Sequence, residues 1–197
     1  MTWFISDPHF DHKNIITFTD RDGKLIRPGF NDIDHMNTTI IQNWNSMIGK
    51  KDKVYCLGDF GNPDFAAQLN GKKRLILGNH DVKWDKLHKH FEKILLIRWW
   101  RETAMDDMDE KHDINFVLSH CPMRFEADSL PHRKVHFNVH GHIHEKLVLH
   151  PDRTVDHKYI NLCVEHTDYK PVHIDQLVKM MKDRMKLPGY KTPVYME

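Results

Sequence analysis

The segment Trp3-Phe4-Ile5-Ser6-Asp7-Pro8-His9 joins a short apolar run to two side chains that commonly bind metal ions. The apolar run predicts a buried strand, and Asp7 and His9 stand where that strand ends. In open α/β sheets the carboxyl ends of the strands form the crevice in which ligands bind. This one segment therefore predicts both a core strand and part of a ligand site.

Four further segments repeat the arrangement of an apolar run followed directly by polar side chains. The apolar runs are Val54–Leu57, Leu75–Leu77, Phe116–Leu118 and Phe137–Val139, and the motifs after them are Gly58-Asp59, Gly78-Asn79-His80-Asp81, Ser119-His120 and Gly141-His142-Ile143-His144. Each motif alone has an ordinary explanation, such as a cap, a tight turn or outward-facing histidines on an edge strand. The ordered set of five is much harder to explain in that way. It predicts that Asp, Asn and His side chains from five strand ends converge on one site.

The remaining patterns predict a layered α/β fold. Apolar residues at helical spacing predict a helix from Asp32 to Ile48, capped by Asp32 and ended by Gly49. Further helices are predicted to begin at Asn62-Pro63 and to cover Lys83–His90 and Ile174–Met185, and strand-like runs cover Ile94–Arg98, Ile114–Leu118, Val135–Val139, Lys146–Leu149 and Tyr159–Leu162. This order predicts an α-β-β-α sandwich of two mixed sheets flanked by helices. We expect a single domain over residues 1–186 and a C-terminal tail over 187–197.

Composition limits the functional classes. The net charge of +1 over 197 residues gives no overall attraction to nucleic acid. No apolar stretch approaches the ~18 residues of a membrane span, and the N-terminus lacks the basic region and cleavage site of a signal peptide. The three cysteines are isolated and odd in number, which predicts a reducing, cytoplasmic location.

The residue types suit a centre of two divalent ions, roughly 3.5–4 Å apart, that holds the attacking and leaving oxygens of a phosphoryl displacement. Asp59 is the predicted bridge because its motif contains no other acid. Asp7 and His9 lie two residues apart, so on extended backbone they face the same way and can chelate one ion. His142 and His144 share this spacing and can also straddle two ions. The mixture of imidazole, carboxylate and amide ligands favours Mn, with Fe, Zn or Ni as alternatives, over Ca.

Proton transfer requires a further group beside the metal ligands. A water held between two ions becomes hydroxide near neutral pH, which leaves the departing oxygen in need of a proton. His80 follows the predicted ligand Asn79 and is the candidate general acid. Asp81 is predicted to hold the His80 imidazole in its protonated form.

The five motifs resemble those of the calcineurin-like metallophosphoesterase superfamily, whose pattern D-x-H, G-D, G-N-H-D/E, H and G-H-x-H is present from Asp7 to His144. The resemblance implies a first ion bound by Asp7, His9 and His144, a second bound by Asn79, His120 and His142, and Asp59 as the bridge between them. It also implies that Asn79 and His80 contact the substrate phosphate and that His80 is the general acid. Asp11–Ile16, Asn43–Asn45 and Asn161–Val172 look like a small bacterial and phage subgroup, so the resemblance covers nearly the whole chain.

One departure from the superfamily concerns substrate binding. Its phosphoprotein phosphatases carry an Asp-Arg-Gly run three residues after the bridging Asp, whereas Asp59 is followed by Phe60-Gly61-Asn62-Pro63. The phosphate-binding arginine is therefore missing, and phosphopeptides are expected to be poor substrates. The candidates to replace it are Arg124, which we favour as a substrate contact, and His132, Arg133 and Arg74.

The resulting functional hypothesis is a dinuclear metal-dependent hydrolase, in which metal-bridged hydroxide attacks the phosphorus of a small phosphoester or nucleotide-type phosphodiester. A nuclease is one alternative, although a net charge of +1 and the lack of a predicted capping domain do not favour nucleic acid as a partner. A catalytically idle interaction scaffold is the other alternative. It is disfavoured because every metal position and His80 are present.

Overall fold

The computed structural model describes residues 1–105, 111–124, 134–188 and 190. The described elements are, in chain order, β1 Thr2–Ile5, α1 Ile33–Met47, β2 Lys53–Cys56, β3 Lys72–Ile76, α2 Trp84–His90, β4 Lys93–Leu95, β5 Ile97–Met105, β6 Lys111–Ser119, β7 Phe137–His140, β8 Tyr159–Asn161, β9 Val172–His173 and α3 Ile174–Met185. Short 3₁₀ helices cover Lys13–Thr17, Pro63–Gln68 and Val164–His166.

The strands form two mixed sheets. The first has the order β4-β3-β2-β1-β9, in which β9 is antiparallel to β1 and the other pairs are parallel. The second has the order β5-β6-β7-β8, in which only the β5–β6 pair of these described strands is antiparallel. The parallel strands β1, β2 and β3 therefore end at the same edge of the first sheet, and β6 and β7 end together in the second.

Helix α1 covers one face of the first sheet. Its predicted cap is confirmed, because the Asp32 side chain accepts a hydrogen bond from the backbone N–H of His35 at 2.7 Å. Met36, Ile40 and Trp44 are fully buried and pack in one cluster with the apolar side chains of the sheet. Trp44 also donates its indole N–H to the Asn70 carbonyl at 2.9 Å, which satisfies its polar atom in the core.

A second apolar cluster fills the space between the sheets. Phe4 and Tyr55 of the first sheet pack with Phe116 and Phe137 of the second, and Leu177 of α3 belongs to the same cluster. The fold is thus the predicted layered α/β sandwich of two mixed sheets flanked by helices. Over the described part of the chain, none of the helices has the length and apolar character that crossing a membrane would require.

Two strand predictions were wrong, and for the same reason. The apolar run Ile94–Arg98 is divided between β4 in one sheet and β5 in the other, with Leu96 73% exposed at the crossing. Lys146–Leu149 forms a single bridge, Leu149 to Val155, and forms no strand within the described segment 134–188. Apolar runs indicate which residues favour extended backbone, but strand pairing depends on partners that are distant in sequence.

Candidate metal centre

The loops after β1 and β2 continue the pairing of their strands and so fix the first ligands in register. Asp7 N–H donates to the Gly58 carbonyl at 3.1 Å, and His9 N–H donates to the Asp59 carbonyl at 3.1 Å. Gly58 is required here, because its φ is +101° and a Cβ would lie 2.4 Å from His120 Nδ1. The motifs Asp7-Pro8-His9 and Gly58-Asp59, which begin 51 residues apart in the chain, are thereby held side by side.

The second sheet joins the first at the same place. Ser6 bridges to Cys163, which follows β8, and the backbone N–H of His142 donates to Asp7 Oδ2 at 2.9 Å. Gly141 allows this approach, because a Cβ there would lie 1.9 Å from Ser6 Oγ and 2.1 Å from Asp7 Oδ2. The site therefore lies at the junction of the two sheets.

Five of the seven predicted ligands have left-handed backbone. Their φ angles are 55° at Asp7, 50° at His9, 48° at Asp59, 70° at His142 and 50° at His144. The expectation that Asp7 and His9 share an extended segment was therefore wrong, since tight loops direct both side chains into the site. Left-handed backbone costs a non-glycine residue roughly 1–2 kcal/mol, and such residues cluster at functional sites where the surrounding structure holds them.

Asp7, His9 and His144 form one group of potential ligands, with one donor atom from each lying within 4.8 Å of the others. Asp7 Oδ1 and both ring nitrogens of His9 are buried and have no hydrogen-bond partner among the described residues. Burial raises the pKa of Asp7, and burial together with the charge of Arg27 lowers the pKa of His9 to about 3. Buried polar atoms normally have partners, so this unsatisfied cluster fits a cation held between these side chains.

Asp59 lies between this group and a second one. Its Oδ2 is 3.6 Å from His9 Nε2 and 3.4 Å from His120 Nε2. Burial alone would raise the pKa of Asp59, but the hydrogen bond and charge of His120 outweigh it and bring the pKa to about 2. A carboxylate that reaches both groups occupies the position that a bridging ligand requires.

The second group consists of His120, Asn79 and His142. The Nδ1 atom of His120 donates to the Leu57 carbonyl at 2.9 Å, which directs Nε2 toward the site. That Nε2 faces Asn79 Oδ1 at 2.9 Å and His142 Nδ1 at 3.2 Å. Burial alone would lower the pKa of His120, but the hydrogen bond to Asp59 and the charges of Asp7 and Asp59 outweigh it and raise the pKa. A proton or a metal cation among these three polar atoms would satisfy them.

A buried network behind the first group holds His144 in place. Glu165 Oε1 accepts hydrogen bonds from His144 Nδ1 and from Arg27 Nε, both at 2.8 Å. The fully buried Arg27 also donates to the Asp7 and Pro8 carbonyls at 2.7 and 3.2 Å. Hydrogen bonding of one histidine nitrogen by a carboxylate orients the other nitrogen toward a metal ion.

The sequence reasoning missed both members of this network. Glu165 lies in Asn161–Val172, a segment that already showed subgroup resemblance, so it could have been singled out there. Arg27 lies in a loop without a motif, and no signal in the sequence marked it. Cys121 was also missed as a potential ligand. Its Sγ atom lies within 4.8 Å of one ring nitrogen each of His120 and His142.

The prediction that Asp81 holds the His80 imidazole was wrong. Both Asp81 oxygens accept hydrogen bonds from backbone N–H groups, namely those of Asp59, Phe60 and Gly78, each at 2.9 Å. Asp81 is buried, whereas His80 is exposed and its ring lies 5.8 Å from that of His9. Asp81 therefore organises the loop that carries Asp59, and His80 lies at the mouth of the site.

The arginines proposed for substrate binding have different positions. Arg74 donates to the Tyr55 hydroxyl at 2.6 Å within β3 and lies 3.9 Å from Glu92, so these contacts direct it away from the strand ends. Arg124 is exposed four residues after His120, and its role stays a prediction. His132 and Arg133 lie outside the described residues.

Comparison with known proteins places the chain among two sets of relatives. It is 32% identical over 189 residues to uncharacterized protein MJ1445 of Methanocaldococcus jannaschii, with 91% of this chain and 90% of the relative covered. The chain belongs to the same family as this archaeal protein. The Gene 66 protein of Mycobacterium phage L5 is 36% identical over 191 residues, which cover 83% of this chain and 86% of the phage protein.

A solved structure supports the fold of the family. The crystal structure of the protein of unknown function AQ665 from Aquifex aeolicus matches with a TM-score of 0.62 and 24% identity, covering 91% of this chain and 98% of that chain. No protein-family model matches the sequence. The match to the Aquifex protein shows a shared fold.

Proposed function

We propose that this protein is a dinuclear metal-dependent phosphoester hydrolase that acts on a small phosphoester or a nucleotide-type phosphodiester. The observation that carries the proposal is the position of Asp59, whose Oδ2 lies 3.6 Å from His9 Nε2 and 3.4 Å from His120 Nε2. A carboxylate between two histidine-containing groups suits two ions with one shared ligand. The resemblance to calcineurin-like metallophosphoesterases supports the same assignment.

The described residues fit two divalent ions. Asp7, His9 and His144 would hold one ion, and Asn79, His120 and His142 the other, with Asp59 shared. The unsatisfied atoms Asp7 Oδ1, His9 Nδ1 and His9 Nε2 support this fit, as does the convergence of Asn79 Oδ1 and His142 Nδ1 on His120 Nε2. The mixture of nitrogen and oxygen donors favours Mn, with Fe, Zn or Ni as alternatives. When bound, the two ions would polarise the phosphoryl group and supply a nucleophile near neutral pH.

The protein's own residues would orient the metal ligands and donate a proton to the leaving group. Glu165 accepts the Nδ1 proton of His144, and the Leu57 carbonyl accepts that of His120, so each ring presents Nε2 to the centre. Asp81 holds the backbone N–H groups of Asp59 and Gly78, which fixes the loop of the bridging carboxylate. His80 lies beyond the ligands and is exposed, so its imidazole can hand a proton to the oxygen of the leaving group.

Metal analysis and a substrate panel test the proposal together. Protein purified with manganese should contain about two ions per chain and hydrolyse p-nitrophenyl mono- or bis-esters, or cyclic or linear nucleotides. Asp59→Asn should lose one or both ions and nearly all activity. A metal-saturated wild type that is inactive on the whole panel would favour an interaction scaffold, and cleavage confined to oligonucleotides would favour a nuclease.

The panel should include a phosphoserine peptide as a separate arm. Phe60-Gly61-Asn62-Pro63 replaces the Asp-Arg-Gly run of the phosphoprotein phosphatases, so the peptide should be a poor substrate compared with a small diester. Efficient release of phosphate from the peptide would overturn this part of the proposal while leaving the metal chemistry in place.

A further inference from the structure

A cavity of about 230 Å³ opens beside the candidate metal centre. Its walls include His9 of the first ligand group together with His12, His80 and Lys83, and its apolar residues include Phe10 and Leu87. Because His9 lines it directly, a group bound at the metal centre can extend into this space.

Three nitrogen-bearing side chains of the wall, those of His12, His80 and Lys83, have no hydrogen-bond partner among the described residues. His12 precedes the 3₁₀ helix Lys13–Thr17 but makes no capping bond with its side chain, and its Nδ1 is unsatisfied. Lys83 directly precedes α2 and is exposed. The Nδ1 atom of His12 is buried, so the groups that can donate to a ligand in the cavity are His12 Nε2, the exposed His80 ring and the exposed Lys83 ammonium.

The two histidines have similar positions relative to the metal ligand His9. The ring of His12 lies 5.4 Å from that of His9, the ring of His80 lies 5.8 Å from it, and the two rings lie 6.5 Å from each other. A phosphate held near His9 would therefore have both rings beside it. Lys83 adds a flexible positive charge at the exposed rim.

The same cavity includes the sequence positions that the Asp-Arg-Gly run occupies in the phosphoprotein phosphatases. Asn62 and Pro63, at the sequence positions of its acid and its arginine, line the cavity. Asp11 also lines it and accepts from Asn62 Nδ2 at 3.3 Å. A carboxylate at this wall disfavours ligands that bring several phosphates into the cavity, because like charges repel.

We propose that His12 and Lys83 act with His80 as a phosphate-binding subsite that takes the place of the missing arginine. The inference rests on the proposed hydrolase function and deepens it, since it assigns the oxygens of one phosphoryl group to these donors. His12 and His80 donate ring N–H groups to the phosphate oxygens, and Lys83 contributes a charge-assisted hydrogen bond.

Orthophosphate is the probe, measured by isothermal titration calorimetry on the full chain loaded with manganese. His12→Gln should weaken orthophosphate binding about 5- to 20-fold. Lys83→Met, which keeps an unbranched side chain, should weaken it about 3- to 10-fold and reduce its salt dependence. The matched controls are Lys89→Met, in the helix α2 that follows Lys83, and His150→Gln. Neither residue lines the cavity, and both variants should bind orthophosphate like the wild type.

Two additional measurements keep the outcomes separate. Elemental analysis should find unchanged metal content, and loss of an ion in His12→Gln would overturn the proposal by making His12 a ligand. Lys83 is exposed, so Lys83→Met should fold even where His12→Gln does not, and unchanged orthophosphate affinity in either folded variant contradicts the subsite. Thermal denaturation checks the fold of each variant.

Ester hydrolysis by the same preparations distinguishes the subsite from the function. Hydrolysis by the wild type with unchanged orthophosphate binding in the variants would remove the subsite and leave the hydrolase. Orthophosphate binding that depends on His12 and Lys83, without hydrolysis of any ester, would keep the subsite and remove the hydrolase.

Discussion

Glu165→Gln would remove one negative charge from a buried network while preserving the length and shape of the side chain. Glu165 Oε1 accepts from Arg27 Nε and from His144 Nδ1, both at 2.8 Å. The side chains of Arg27 and Glu165 are 0% and 4% exposed. In the variant, the buried Arg27 guanidinium therefore has only neutral acceptors, namely backbone carbonyls and the amide oxygen of glutamine. The hydrogen bond that orients the His144 ring is also weaker, because its acceptor is no longer charged.

The expected magnitude follows from these two contacts. Hydrogen bonds to charged groups contribute about 1.5–3 kcal/mol, and breaking a buried ion pair outright costs about 3–5 kcal/mol. Glutamine keeps one acceptor oxygen, so we expect the free energy of unfolding to fall by about 2–3 kcal/mol and Tm by about 4–12 °C. Loss of a partner that orients a metal ligand typically weakens metal binding about 10–100-fold. We therefore expect Glu165→Gln to bind manganese about 10–100-fold more weakly than the wild type.

The effect on stability should also depend on pH. Burial alone would raise the pKa of Glu165, but the His144 hydrogen bond and the Arg27 charge lower it from 4.5 to about 2. Because the folded-state pKa lies below that of the unfolded chain, the carboxylate stabilises the fold fully above the unfolded pKa and loses this effect as pH falls toward the folded one. The stability difference between wild type and Glu165→Gln, measured in EDTA, should therefore shrink below about pH 4.5. It should also decrease as pH rises above the unfolded pKa of His144. Burial alone would lower the pKa of the folded His144 ring, but Glu165 outweighs burial and raises this pKa, and so stabilises the protonated form of the ring.

Urea denaturation and manganese titration measure the two effects on the same protein. Glu102→Gln is the matched control, because Glu102 accepts from Trp100 Nε1 at 3.0 Å in β5, away from the candidate ligands. The control should change neither manganese affinity nor the pH dependence. If Glu165→Gln keeps wild-type manganese affinity and Tm, the network does not hold His144, and the reasoning from buried charge is refuted.

Three further predictions separate metal binding, proton transfer and loop structure. His80→Ala should keep its metal content but lose about 10²–10⁴-fold in activity. The loss should be larger for alkyl or nucleoside leaving groups, which need a proton, than for p-nitrophenolate. Loss of an ion would show instead that His80 is a ligand. Asp81→Ala leaves three backbone N–H groups without their acceptor, so urea denaturation should show a loss of about 3 kcal/mol or more; wild-type stability would mean that the loop holds without this carboxylate. Gly141→Ala places a Cβ 2.1 Å from Asp7 Oδ2 and should lower Tm and manganese binding, whereas Gly49→Ala, with its nearest contact at 3.6 Å, should change neither; equal behaviour of the two would refute the steric argument.

The sequence predicted the fold well where local signals and global packing agree. Helix α1 begins and ends within one residue of the prediction, because Asp32 caps it and Gly49 follows its apolar face. The layered class followed from the alternation of elements. The division of Ile94–Arg98 between two sheets could not be predicted, because it depends on which partner strand each half meets.

The candidate site shows the same limit at the level of side chains. Motifs after strand ends predicted the seven candidate ligands that the structure brings together, because parallel strands end at a common edge. The role of Asp81 was misjudged, since its neighbour in sequence, His80, is not its partner in space. Arg27 and Glu165, 138 residues apart, form a pair that only the folded chain reveals.

The junction of the two sheets at Asp7 and Gly141 has a consequence for how the chain opens. A cation held by side chains from both sheets would act as a cross-link between them, so local separation of the sheets would require its release. Ligand binding to the native state stabilises it by about 2.7 kcal/mol at a hundredfold excess over Kd. Amide hydrogen exchange in β1 and in β7 should therefore slow together on metal loading, although the two strands belong to different sheets.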